Sequence, residues 1–268
     1  MTTELADDLR SLGLCASKEA IHALLSHATK SRLPATEVVE QLVILERRER
    51  AARNLASRTK RAALGATKSL DRFDWSFPRI IDRAHYEQLL LLDFAARGHN
   101  VLLRGPSGVG KTNLAQNIGQ RALEKGKSVC FSTVNAALAD LLKQESLPAV
   151  ERRMKRYTNP SVLILDELGY LPCDGRSGDL LYNIISRRHE RASTIITTNL
   201  AFKEWGNVFP GAACVVALVD RFTQHCHTID IDGDSWRQRP EPPPISQTSS
   251  ARASKRLAAV KKKDVGRR

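Results

Sequence analysis

The sequence has few cysteines, no long apolar run and no basic leader, and each shortage argues against a class of protein. Its five cysteines are odd in number and form no CxxC pair, which disfavours a disulfide framework or a zinc ribbon. No apolar run approaches the roughly 20 residues that a membrane span needs. The acidic start, MTTELADDLR, lacks the basic beginning and apolar centre of a signal peptide. We therefore expect a cytoplasmic protein with reduced thiols and no membrane partner.

A metal site is also not expected, although the triplet HCH at residues 225–227 contains three potential ligands. Adjacent residues of a regular element point in different directions, so they cannot all face one ion. Ordinary residues at the end of a helix are the simpler interpretation of this triplet.

Acidic residues are outnumbered, since the sequence has 42 Lys and Arg but only 29 Asp and Glu, which gives a net charge of +13. The excess lies in two segments, about +6 in residues 46–68 and about +8 in residues 237–268. Such clusters are typical of polyanion-binding surfaces, most often for nucleic acid, although a solvated helix face or a solubilising tail looks similar. The first cluster supplies the candidate DNA contacts, which are Arg47, Arg48, Arg50, Arg53, Arg58, Lys60 and Arg61.

The pattern of apolar residues divides the chain into three parts. Leucines recur at helical spacing near the N-terminus, and Pro34 can begin a further helix that is apolar early and cationic late. From residue 100 strands and helices alternate, as in a parallel α/β sheet. We predict a helical, basic N-terminal domain at 1–66, an α/β domain at 67–238 and a flexible basic tail at 239–268. The predicted strands are 100–105, 128–133, 161–167, 193–199 and 227–232.

The segment GPSGVGKT, residues 105–112, matches the phosphate-binding pattern G-x-x-x-x-G-K-[ST] between a predicted strand and a helix. Its glycines let successive backbone N–H groups face one oxyanion at the helix N-terminus. Lys111 would reach the β- and γ-phosphates, and the Thr112 hydroxyl would bind Mg²⁺. A glycine-rich turn without a ligand is the alternative. The candidate nucleotide-binding residues are Gly105, Pro106, Ser107, Gly108, Val109, Gly110, Lys111, Thr112 and Asn113.

Two carboxylates, Asp166 and Glu167, interrupt the apolar stretch VLILDELGYLP at residues 162–172. Ionised acids at the end of a buried strand are costly unless a cation meets them. We expect this strand to lie beside the strand of the phosphate loop, so that Asp166 meets the Mg²⁺ at Thr112. Glu167 can then deprotonate a water that attacks the γ-phosphate, which favours hydrolysis over phosphate transfer. Its alternative role is an acid at the start of the next helix.

Asn199 ends the predicted strand STIITTN at residues 193–199. If this strand lies between the other two, Asn199 reaches the same water and the γ-phosphate. Taken alone, it is a common turn residue. Lys111, Glu167 and Asn199 are therefore the catalytic candidates that the residues themselves indicate.

Five segments together resemble the IstB family: GPSGVGKT, LILDELGYLP, SRRHERASTIITTN, EWGNVF and DRFTQHCHTIDIDGDSWR. These are AAA+ helper ATPases of insertion-sequence transposition, related to DnaC-type helicase loaders, and the resemblance spans about residues 5–238. It implies an AAA+ P-loop NTPase core with a five-stranded parallel sheet, preceded by a small helical domain. No folded C-terminal lid is expected, because the residues after the fifth strand are few and rich in Pro, Ser and Lys.

The resemblance also implies an activity and partners. Members of this family assemble with ATP and Mg²⁺ into oligomers on duplex DNA, with little sequence preference, and stimulate a transposase. By the AAA+ pattern, Arg221 would complete the ATP site of a neighbouring subunit, and Arg237 would sense nucleotide within its own subunit. For either arginine, a surface salt bridge is the alternative.

Three other functions remain open from the sequence. A DnaC-like replicative helicase loader would share the ATPase and DNA-binding features and differ in its partner. A small-molecule P-loop kinase would need neither the basic cluster nor the pair of acids. A DNA-binding module with a vestigial ATP site would not need intact Lys111, Thr112, Asp166 and Glu167.

Overall fold

A cluster of three helices opens the chain, and alternating strands and helices follow it. The computed structural model describes residues 2–169, 175–209 and 213–238. Within these ranges the helices are α1 (Thr2–Ser11), α2 (Lys18–Ser31), α3 (Ala35–Ala62), α4 (Arg83–Leu89), α5 (Asp93–Arg97), α6 (Lys111–Glu124), α7 (Val134–Leu142), α8 (Leu147–Thr158), α9 (Gly175–Arg188), α10 (Trp205–Val208) and α11 (Val215–Thr223). No helix in the described part of the chain has both the length and the hydropathy of a membrane span.

The strands form one mixed sheet in the order β1-β6-β2-β5-β4-β3. Their bounds are β1 (Ile80–Ile81), β2 (Asn100–Arg104), β3 (Val129–Thr133), β4 (Val162–Leu168), β5 (Ser193–Thr198) and β6 (Cys226–Asp232). Strands β2 to β6 pair in parallel and confirm the five predicted strands, whereas β1 pairs antiparallel with β6. The sheet therefore has six strands rather than five, because a two-residue edge strand carries no periodic signal.

The prediction that the strand with the two acids lies directly beside the phosphate-loop strand was wrong. Strand β5 lies between β2 and β4, so the strand with the two acids is one strand removed from the phosphate loop. This order brings the C-terminal ends of all three strands to the same edge of the sheet, because they run in parallel.

Helices cover both faces of the sheet and form two cores. Along β2, Val101 and Leu103 pack on the α6 side, whereas Leu102 packs on the α9 side. The alternation follows from the two-residue period of a strand, and near-continuous burial is typical of a parallel sheet covered on both faces. The phosphate loop and the acids therefore rest on a rigid three-layer support.

The 28-residue helix α3 joins the N-terminal helices to the α/β part. Near its middle, the Glu46 carboxylate accepts the backbone N–H groups of Cys15 and Ala16, at 2.7 and 3.0 Å. At its end, Ala62 and Leu64 are buried in the α6-side core, and the Gln116 amide donates to the Leu64 carbonyl at 2.7 Å. One continuous helix thus links the two predicted domains. The predicted tail, 239–268, and the predicted absence of a lid lie outside the described residues.

The triplet at residues 225–227 does not end a helix as expected, since Cys226 and His227 begin β6. The His225 ring stacks on His99 with centroids 5.0 Å apart, and His227 Nδ1 lies 3.2 Å from His85 Nε2. Burial and the neighbouring imidazoles lower the pKa values of His99 and His227, which favours neutral rings at pH 7. Across the described ranges, no group of three His, Cys, Asp or Glu side chains is arranged to hold a metal ion.

Candidate nucleotide site

The phosphate loop joins the end of β2 to the start of α6, and its glycines are required by both conformation and space. Gly108 and Gly110 have φ angles of 86° and 99°, in the left-handed region that side chains rarely adopt. A Cβ atom at Gly110 would lie 2.6 Å from the Phe73 ring, and one at Gly108 would collide with the Ser235 side chain. The Trp236 N–H donates to the Gly108 carbonyl at 3.1 Å. The loop is therefore fixed from two sides.

Lys111 is the first residue of α6 and is only 7% exposed. Its Nζ donates to the carbonyls of Gly105 and Pro106, each at 2.7 Å, so the ammonium lies against the inner wall of the loop. Burial lowers the pKa of Lys111, whereas Asp166 and Glu167 oppose that shift and Arg237 adds to it. Lys111 is thus buried and interacts electrostatically with both acids and with Arg237.

The structure brings Thr112 and Asp166 together. The Thr112 hydroxyl lies 3.0 and 2.9 Å from the two carboxylate oxygens of Asp166, which is 3% exposed. One hydroxyl and one carboxylate make a small set of hard oxygen donors. Mg²⁺ suits such a set, because it keeps several waters and takes its other ligands from substrate phosphates. The residues present therefore fit a magnesium nucleotide.

The two acids lie together in a β-bulge. Between the pairs Leu165↔Ile196 and Leu168↔Thr198, β4 contains one residue more than β5. Within the bulge, Glu167 has a φ of 63°. This left-handed conformation costs a residue with a side chain about 1–2 kcal/mol. The half-buried Glu167 thereby leaves the regular in-and-out alternation of the strand, and no sequence pattern indicated this strain.

Thr197 is a site residue that the sequence analysis missed. Its hydroxyl lies 2.5 Å from the Asp166 carboxylate and 2.9 Å from the Glu167 backbone nitrogen. The available signal was weak: β5 is fully buried and yet contains three threonines, and a buried hydroxyl needs a partner.

Asn199 is exposed and follows β5, which lies between the other two strands as the predicted role of Asn199 requires. It borders a cleft of about 610 Å³ that the phosphate-loop residues Gly105, Pro106 and Ser107 also line. Arg104 and Asp230 also line this cleft, and Arg104 donates two hydrogen bonds of 2.6 and 2.8 Å to the Asp230 carboxylate. Asn199 thus shares a cleft with the phosphate loop, and its sensing role stays a prediction.

The two predicted arginines occupy different places. Arg237 lies in a short 3-10 turn, Trp236–Gln238, next to the phosphate loop and acts electrostatically on Lys111. Arg221 lies on α11, where it donates to the Ser186 hydroxyl and stacks over the Tyr182 ring at 5.1 Å. Both partners of Arg221 belong to α9 rather than to the phosphate loop.

The basic cluster on α3 contains two kinds of residue. Arg50 binds Glu46 at 2.7 Å and the Gly13 carbonyl at 3.1 Å, and the half-buried Arg58 donates to the Leu123 carbonyl at 3.3 Å. These two side chains brace the fold, as does Arg53 more weakly through a 3.7 Å contact with Cys15 Sγ. The members that are exposed and lack such long-range contacts among the described residues are Arg47, Arg48, Lys60 and Arg61.

Comparisons with known proteins agree with this architecture. The profile of the IstB-like ATP binding protein family matches residues 7–242. An ATP-binding protein of insertion sequence IS21 from Pseudomonas aeruginosa is 37% identical over 81% of this chain and 82% of its own length. A second, of insertion sequence IS5376 from Geobacillus stearothermophilus, is 32% identical over 81% of this chain and 86% of its own.

Among solved structures, that of DnaI is similar in fold, with a TM-score of 0.52 over 63% of this chain and 92% of that chain, at 20% identity. The likeness confirms the predicted α/β fold of the core, a parallel sheet with helices on both faces. Because the family profile covers nearly all of the described residues, the chain belongs to the family of IstB-like ATP-binding proteins.

Proposed function

We propose that this protein is an ATP-dependent DNA-binding ATPase that oligomerises on duplex DNA and assists a transposase in insertion-sequence transposition. Its relatives are named as ATP-binding proteins of insertion sequences, which supports the transposition role. The observation that carries the ATPase activity is the arrangement of Lys111, Thr112, Asp166 and Glu167 around one loop.

Each residue of the site has a distinct task in this proposal. Backbone N–H groups of the phosphate loop and the Lys111 ammonium bind the phosphates, while Thr112 and Asp166 hold Mg²⁺. The metal, when bound, neutralises charge on the β- and γ-phosphates. Glu167 accepts a proton from the attacking water, and Asn199 orients that water beside the γ-phosphate. Arg237 contacts the nucleotide bound in its own subunit.

Hydrolysis is favoured over transfer to a metabolite because of the second acid. A phosphate-transferring kinase needs Asp166 for its metal, but it gains nothing from a strained Glu167 beside it. Backbone strain of this kind clusters at active sites and ligand-binding sites. A vestigial site has equally little reason to keep Glu167 in a left-handed conformation.

Assembly is part of this proposal because of Arg221. Its contacts are with α9 and not with the phosphate loop of its own subunit, which supports a role in the site of a second subunit. An arginine supplied in trans stabilises charge on the transferring phosphoryl group, so hydrolysis would depend on oligomer formation on DNA.

Charge reversal on α3 tests the DNA contacts. In an Arg48→Glu/Lys60→Glu variant, duplex affinity should fall about tenfold for all sequences, and the slope of log affinity against log salt should drop by about 2. Fluorescence anisotropy with two unrelated duplexes, at several salt concentrations, measures both quantities. The control is Lys125→Glu/Lys143→Glu, which changes the charge equally at exposed positions of the α/β part. An equal loss in both variants would refute a specific role for α3.

The helicase-loader alternative differs in its partner. We expect the tagged protein, with ATP and Mg²⁺, to retain its cognate transposase and not the replicative helicase, when both are offered at equal concentration. The likeness to DnaI concerns the fold and does not decide between these partners. Retention of the helicase alone would favour the loader.

A further inference from the structure

We propose that Thr197 is the positioning residue that holds Asp166 and Glu167 in their working arrangement; this inference rests on the ATPase function proposed above. Thr197 is fully buried in β5, the strand between the phosphate-loop strand and the strand with the acids. Its hydroxyl donates to Asp166 Oδ1 at 2.5 Å and accepts the Glu167 N–H at 2.9 Å. A single side chain therefore contacts the candidate metal ligand and the backbone of the candidate base.

The bond to Asp166 fixes the orientation of that carboxylate. Asp166 accepts from two hydroxyls, Thr112 on one side and Thr197 on the other. A hydroxyl has one proton to donate, so Thr197 can serve one acceptor only, and here that acceptor is the acid. Hydrogen bonds from outside the metal ligands commonly set ligand orientation and metal affinity in this way. Among the described residues, the carboxylate without Thr197 would be held by Thr112 alone, the residue with which it would share the metal.

The hydrogen bond from the Glu167 backbone N–H to the Thr197 hydroxyl stabilises the bulge. A bulge leaves its extra residue without a regular ladder partner, and a buried backbone N–H needs an acceptor. The Thr197 oxygen is the acceptor that the Glu167 N–H finds, and it thereby stabilises the left-handed conformation at a φ of 63°. Because Thr197 is β-branched, its χ1 angle is restricted, which keeps the oxygen between the two acids.

The Thr197→Val substitution removes the hydroxyl and keeps the branched shape of the side chain, so that it tests the hydroxyl alone. Thr197→Val should raise the Mg²⁺ concentration needed for half-maximal binding of a fluorescent ATP analogue about tenfold, and lower kcat about tenfold. KM for ATP at saturating Mg²⁺ should stay within about twofold, since the phosphate loop is intact. Without nucleotide, the thermal midpoint should also fall, because two hydrogen bonds are lost. Thr197→Ser keeps the hydroxyl and should restore the Mg²⁺ dependence.

Thr194→Val is the matched control. Thr194 lies on the same strand, is 1% exposed, and uses its hydroxyl to accept from the Arg188 side chain at 3.0 Å, away from the acids. Its loss should lower the thermal midpoint and leave the Mg²⁺ dependence unchanged.

The possible outcomes distinguish this inference from the proposed function. If the wild-type protein neither binds nor hydrolyses ATP, the proposed function fails. If it does both and Thr197→Val matches Thr194→Val in Mg²⁺ dependence, the positioning role is overturned. Should Thr197→Val fail to fold, Thr197→Ala and Thr197→Ser form a second pair that differs only in the hydroxyl, and equal Mg²⁺ dependence in that pair overturns the inference as well.

Discussion

Replacing Glu167 by glutamine is expected to slow ATP hydrolysis at least about a hundredfold while ATP binding changes little, because general-base catalysis contributes that much or more. The amide has the shape of the acid but cannot accept a proton from the attacking water. Phosphate release in a single turnover measures the hydrolytic step, and titration with a fluorescent ATP analogue measures binding. The assemblies proposed to form on DNA should persist longer, since in that proposal bound ATP stabilises them and is no longer consumed.

Glu124→Gln is the control for this substitution. Glu124 lies exposed at the far end of α6, so its neutralisation removes the same charge without altering the site. Turnover by Glu167→Gln at the wild-type rate would exclude Glu167 as the base. A wild-type protein that transfers phosphate to a metabolite without DNA would instead favour a kinase.

The local features of this protein were predictable from its sequence. Each of the five parallel strands is a short run rich in apolar and β-branched residues, with Ile and Asp alternating in β6. The glycines of residues 105–112 indicate the turn that this segment forms. Nothing in such runs specifies which strand lies beside which, because strand order depends on contacts between distant parts of the chain. The placement of β4 directly beside β2 was therefore wrong, whereas the conditional placement of β5 between them was correct.

The sequence could not predict which of several side chains of the same chemical type has a given role. Arg48 and Arg58 read alike within a basic run, yet one is exposed and the other donates to the Leu123 carbonyl at the end of α6. Likewise, Thr194 and Thr197 read alike within β5. Thr194 accepts from Arg188, six residues before it at the end of α9, whereas Thr197 contacts the two acids of β4, 30 and 31 residues before it, because β4 packs beside β5.

Replacing Arg221 by alanine is expected to reduce hydrolysis about a hundredfold or more, because an arginine that stabilises the transferring phosphoryl group commonly contributes 10³–10⁵ in kcat. Nucleotide binding by the monomer should be retained, since Arg221 contacts α9 rather than the phosphate loop. Arg187→Ala is the control, because Arg187 also lies on this side of the sheet and forms a surface ion pair with Glu151. Its removal should leave turnover unchanged.

Mixing two inactive variants decides whether Arg221 acts between subunits. Lys111→Ala should be inactive because it cannot bind the phosphates, yet it still carries Arg221. In an equal mixture with Arg221→Ala, an interface is complete when one subunit provides Lys111 and its neighbour provides Arg221. Random assembly produces this arrangement at about a quarter of the interfaces, so about a quarter of the wild-type rate should return. If Arg221 acted within its own subunit, every site in the mixture would lack one of the two residues, and no activity would return.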